Sequence, residues 1–231
     1  MRLLLALAYT VAAVAAWTPP TYNATVWKAF RAKTLLNPPP PLTYNPYDNV
    51  TNTTWPDSVC AVKYPDPSNR STYMLHTYAS RAAAEADGAF VTHEHPCGYC
   101  STTKDLSVYM EFGDLTNPVR DCALIGFASQ QLAIECLSKV GFTPECSKIW
   151  LYDADNTRKD CFDICIKDWW NHVPNNIPPN STNLNPCLEC DEVKSGPIFK
   201  LFAGRTRRDS GLKSAINRPA SAIYEVTHYY Y

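Results

Sequence analysis

No apolar run beyond residue 16 reaches the roughly 20 residues that span a bilayer, so no transmembrane helix is expected in the mature chain. An excess of one charge is also missing. Lysine and arginine number 21 and aspartate and glutamate 22, a net charge of -1, which gives no general attraction to nucleic acid or to an anionic membrane. Glycine is scarce, with 8 in 231 residues; no glycine-rich phosphate loop is present and no cofactor is expected. Five histidines and scattered hydroxyls define no Ser/His/Asp arrangement. The last residues, Tyr229-Tyr230-Tyr231, are not a Lys-Asp-Glu-Leu signal, which argues against a folding catalyst retained in the endoplasmic reticulum.

Arg2 precedes an apolar stretch from Leu3 to Ala15, and small residues lead up to Trp17-Thr18-Pro19; residues 1–16 are expected to be a secretory signal peptide. Five Asn-x-Ser/Thr acceptors follow, at Asn23, Asn49, Asn52, Asn69 and Asn180, four of them between residues 23 and 69. They predict a secreted glycoprotein. Residues 17–70 also hold ten of the nineteen prolines, including Pro38-Pro39-Pro40-Pro41. That composition predicts an irregular, proline-rich, glycosylated N-terminal arm. Its one amphipathic segment, Thr25 to Leu36, offers Val26, Trp27 and Phe30 to the main body.

Residues 71–231 read as a cysteine-rich helical domain, so the expected fold is mainly α, stapled by disulfides, with a short β-ribbon. Ser80 to Ala86 is rich in helix formers and Asp87-Gly88 ends it; residues 89–93 follow as a strand. Cys122, Ile125, Ser129, Leu132, Cys136 and Val140 recur at helical spacings between Asn117-Pro118 and Gly141, which predicts one long helix. Thr143-Pro144 opens another segment, Asn156 is expected to cap a further helix to about His172, and Asn185-Pro186 opens a last one that Gly196-Pro197 must break. The aromatic tail from Ala222 is a candidate terminal strand beside residues 89–93.

Ten cysteines, an even number in a chain read as secreted, predict five disulfides. Cys161 and Cys165 lie one turn apart on one helix face and must bond to different partners. Cys122 and Cys136, on one straight helix, are held roughly 21 Å apart at 1.5 Å per residue and are not expected to meet. Cys97, Cys146 and Cys187 each follow a proline that suits a first helical position, where the helix dipole favours a thiolate.

Cys97-Gly98-Tyr99-Cys100 resembles the Cys-Gly-Tyr-Cys active-site motif of thioredoxin-like thiol-disulfide oxidoreductases. The resemblance covers about fifteen residues, and it implies that Cys97 attacks a substrate disulfide and Cys100 resolves the mixed one. The plainer expectation is that both are structural. A third reading comes from His93 and His95, two apart on a strand and so on one face, whose imidazoles together with the thiolates of Cys97 and Cys100 suit zinc or copper.

Three arginines, Arg205, Arg207 and Arg208, fall between Gly204 and Gly211. Their guanidinium forks suit a carboxylate, sulfate or phosphate, and the Arg-x-Arg-Arg pattern resembles the cleavage site of proprotein convertases. The sequence therefore leads to a secreted, disulfide-stabilised binding module for an extracellular protein or an anionic ligand, with Arg205, Arg207 and Arg208 as the contact. A thiol-disulfide oxidoreductase using Cys97 and Cys100 is the alternative, and a His93/His95 metal site the third reading.

Overall fold

The computed structural model describes residues 17–50 and 52–231; the signal peptide expected at residues 1–16 lies outside the described residues. The Asn23 side chain accepts from the Thr25 and Val26 amides and so caps α1 (Ala24–Arg31), which buries Val26 and Phe30. Beyond α1, the stretch 17–70 is more than an irregular arm. β1 (Thr34–Leu35) forms one edge of a sheet, and β2 (Val59–Lys63) is one of its inner strands. Val59-Cys60-Ala61-Val62 is a continuous apolar run that suits a strand covered on both faces, and all four residues are buried. The prolines sit in the connections, where Pro46 opens a 3-10 turn, Pro46–Asp48.

The expected ribbon is a four-stranded sheet in the order β1-β3-β2-β4, completed by β3 (Thr72–Tyr78) and β4 (Phe90–Glu94). β2 runs antiparallel to β3 and β4, and β1 parallel to β3. Between β3 and β4 lies α2 (Arg81–Ala86), capped by Ser80 and followed by Gly88 at φ +67, a left-handed position that glycine adopts without strain. Ala84 of α2 packs with Val59, Ala61, Val91 and Val226. A larger core containing Phe30, Tyr73, Leu106, Phe142 and Leu151 joins the sheet to the helices.

The helical part comprises α3 (Thr103–Glu111), α4 (Thr116–Ile125), α5 (Gln130–Val140), α6 (Pro144–Trp170), α7 (Pro186–Lys194) and α8 (Gly196–Ala203). The single helix expected from Asn117 to Gly141 is a hairpin. α4 stops at Ile125, the chain turns over residues 126–128, and the Ser129 hydroxyl accepts from the Leu132 amide to start α5. Cys122 and Cys136 therefore face each other across the hairpin and bond, with their Cα atoms 5.4 Å apart. The apolar spacing runs on unbroken because both helices bury a similar stripe, Val119 and Cys122 on one and Ala133 and Leu137 on the other. Asn156 does not cap a helix. Its amide donates to the Lys194 carbonyl and to Ser195 Oγ, and α6 continues through it for 27 residues. The tail forms no strand beside β4; instead the Tyr230 ring stacks on Phe90 with centroids 5.4 Å apart, and Tyr64 Oη donates to the Tyr230 carbonyl.

All ten cysteines are paired, which marks a domain stabilised for an oxidising compartment. Cys161 and Cys165 bond to different partners, Cys190 and Cys187, and so fix α7 to α6 twice. Among the described residues no helix is long and apolar enough to cross a membrane.

Candidate functional site

Cys97 and Cys100 do not bond to each other. Cys97 closes a bridge to Cys60 on β2 and Cys100 one to Cys146 in the first turn of α6, and α3 begins only after Thr102. The glycine between them has a packing role. A Cβ on Gly98 would lie 2.4 Å from the Phe202 carbonyl oxygen and 2.6 Å from the Gly204 nitrogen, so only glycine lets these backbones touch. The contact is secured by Tyr99 and Cys100 amides donating to the Phe202 and Ala203 carbonyls.

The two histidines do not share a site. His93 is fully buried; its Nδ1 meets the Glu94 carbonyl at 2.8 Å and its Nε2 the Ser101 hydroxyl at 2.7 Å. A carbonyl only accepts, so Nδ1 carries the proton and Nε2 accepts from Ser101, leaving no lone pair for a metal. Burial and the nearby Arg205 charge hold the imidazole's pKa well below its usual value. His95 lies past the end of β4 at φ +73, with its ring 4.0 Å from that of Trp55. Among the described residues no three His, Cys, Asp or Glu side chains are grouped to hold a metal ion.

The three arginines have three different environments. Arg205 is completely buried and spends every donor: Nε on the Cys100 carbonyl, Nη1 on the Thr92 carbonyl and Ser210 Oγ, Nη2 on Thr92 Oγ1 and the Ser101 carbonyl, at 2.6–3.1 Å. Arg207 caps the end of α3, donating to the carbonyls of Tyr109 and Phe112, where a cation suits the helix dipole. Arg208 reaches Glu192 on α7 through Nη2 alone. This stretch is a packed turn, with Ser210 and Gly211 amides bonded back to Thr206 and Arg208, and not the extended exposed loop that convertase cleavage needs.

Arg207 and Arg208 line a cleft of about 420 Å³ between α4, α6, α7 and α8. That volume falls within the usual range for small-molecule sites. Val119 and Ala123 of α4, with Leu115 just before it, line one side; Ala154, Phe162 and Ile166 of α6 also line the cleft. Leu124, Phe127, Phe162 and Trp169 are each at least half exposed at the mouth. Such a concentration of uncovered large apolar side chains is uncommon on a surface without a binding role. The cleft stays open because its walls are cross-linked: Cys122–Cys136 fixes the α4–α5 hairpin, and Cys161–Cys190 and Cys165–Cys187 fix α7 against α6.

The inner end is polar. Glu192 accepts from Arg208 and Arg218 and from Lys200 on α8, with closest distances of 3.0, 2.6 and 3.3 Å. Burial raises its pKa, but the three cations together carry it below the ordinary carboxylate value. Asp153 of α6 is buried beside this cluster, and burial holds its carboxyl well above the normal range. Tyr47 Oη lies 2.9 Å from Asp153 Oδ1 and 3.0 Å from the Ser195 carbonyl, so its one proton is shared between two acceptors. Asp191, which accepts from Thr157 Oγ1, is raised by burial to about 6.

Of the sequence-selected residues, only Arg207 and Arg208 line this cleft. Phe162, Ile166 and Trp169 recur at four and three residues along α6, a helical stripe that the sequence displays; Glu192 and Arg218 carry no sequence signal. Residues 130–226 match a family of unknown function, DUF8771, and this span contains α5 to α8 and the arginine turn. No curated protein and no solved structure matches the chain.

Proposed function

We propose that the chain is a secreted, glycosylated binding module whose site is the cleft between α4 and α6–α8, and whose ligand is apolar over most of its length. The observation that carries this reading is a preformed apolar cleft with cross-linked walls and its large side chains uncovered at the mouth. Exposure of all five acceptor asparagines is compatible with glycan at each, and none of them lines the cleft. A thiol-disulfide exchange role for Cys97 and Cys100 has no support from their pairing, since each closes a bridge to a different element.

The test uses N-phenylnaphthylamine, a neutral apolar dye that brightens on leaving water. Wild-type protein is expected to bind it saturably. Ala154→Trp, which places an indole in the cleft, is expected to abolish binding while the unfolding midpoint in urea stays within about 1 kcal/mol, as for a change at a partly exposed site. Dye binding that survives in the Ala154→Trp protein would remove the cleft as the site.

A further inference from the structure

Resting on the cleft as the binding site, we infer that its ligand is a single-chain anionic amphiphile, with the acidic head at Lys200, Arg208 and Arg218 and the tail along Phe162, Ile166 and Trp169. Three cations converge on Glu192, with Asp191 also beside Lys200 and Arg218, and over the whole lining six lysine and arginine side chains face four aspartates and glutamates, a surplus of positive charge. The donors there are also unspent. Arg208 and Arg218 each bond through Nη2 alone, and among the described residues their Nε and Nη1 groups have no acceptor. Arg205, three residues from Arg208, shows the opposite state, with five donors on five protein oxygens. The unspent N–H groups on the two arginines can donate to the oxygens of one carboxylate, sulfate or phosphate.

The apolar path leaves from this point. Thr157 stands beside Asp191 near the charged cluster, and Trp169 lies twelve residues further along the continuous α6, about 18 Å at 1.5 Å per residue. Phe162, Ile166 and Trp169 line the cleft over that distance, with Leu124 and Phe127 on the α4 side. A flexible chain with one charged end matches this arrangement. A cationic head would meet three cations, and a neutral polar head would accept from the arginine donors without matching their charge.

Displacement of N-phenylnaphthylamine by dodecyl sulfate, dodecanol and dodecyltrimethylammonium, all below their micelle concentrations, tests the head while the tail stays constant. Dodecyl sulfate is expected to compete at least tenfold better than dodecanol, and the ammonium compound worst. Arg208→Ala with Arg218→Ala is expected to bring dodecyl sulfate to within threefold of dodecanol, each competition being referred to that variant's own dye affinity. Glu192→Gln, which frees all three cations, is expected to tighten dodecyl sulfate several-fold. Dye binding with equal competition by the three compounds, or tightening of the ammonium compound in place of the sulfate by Glu192→Gln, would overturn the head-group assignment and leave the binding-module reading intact. Failure of the dye itself to bind would remove that underlying reading.

Discussion

The surroundings of Arg205 and the cleft beyond Arg208 are built from one short turn to opposite ends. Around Arg205 the interior is closed and every guanidinium donor has its partner. His93 is held between Ser101 and the Glu94 carbonyl, while His228 Nε2 meets the Ser210 carbonyl at 2.8 Å and its pKa is pushed down by burial to about 3. Two disulfides, Cys60–Cys97 and Cys100–Cys146, fasten that region to β2 and α6. At the cleft, apolar side chains are left to solvent and guanidinium donors are left over. A buried arginine with spent donors is a structural clamp, and a half-buried one with unspent donors is a binding group; residue type alone does not separate the two.

The largest effect expected from this contrast is on stability. Arg205→Met would leave five buried oxygens without donors and cost about 4 kcal/mol, whereas Arg208→Met removes a partly exposed ion pair and costs about 1 kcal/mol or less. Urea midpoints followed by near-ultraviolet circular dichroism measure both. Equal losses would erase the distinction between clamp and binding group.

The disulfides divide in the same way. Replacing Cys100 and Cys146 by alanine opens a loop with a sequence separation of 46, and replacing Cys165 and Cys187 one of 22, at roughly 4 and 3 kcal/mol. Only the second pair fixes a cleft wall, so only its loss is expected to weaken dye binding, by about tenfold, at a urea concentration where both proteins remain folded. Weakening by the first pair alone would place the site elsewhere.

The smallest expected effect is on pH dependence. Asp191 is raised by burial to about 6; Asp153 on α6 and Tyr47 lie near it, with Glu192 beside it on α7 and Lys200 and Arg218 facing the pair. As pH falls through about 6, Asp191 takes up a proton and the inner end gains one unit of positive charge, while dodecyl sulfate stays anionic. Its affinity is therefore expected to rise several-fold between pH 7 and pH 5, and Asp191→Asn to flatten the profile. Tighter binding at the higher pH would contradict this sign.

Much of the local construction was legible in the sequence. Ser80 and Gly88 bound α2, Asn185-Pro186 opens α7 with the Asn185 side chain accepting from the Leu188 amide, and the Cys161/Cys165 spacing required two separate partners. These features depend on neighbours within a few residues. The break between α4 and α5 was hidden because Ser129 continues the helical spacing that it interrupts, and the role of β2 because its partners lie beyond the boundary drawn at residue 70. The cleft was out of reach for the same reason. It exists only where α4, α6 and α7 meet, and Glu192 gains its meaning from Lys200, Arg208 and Arg218, which no local pattern brings together.

A crystal structure of the chain soaked with dodecyl sulfate tests the central claim most directly. Sulfate oxygens are expected within hydrogen-bond distance of Arg208 and Arg218, with the alkyl chain running past Phe162 and Ile166 toward Trp169. An alkyl chain lying in the cleft with its sulfate at the Trp169 mouth, or a cleft without ligand while detergent covers Trp170 outside, would contradict it.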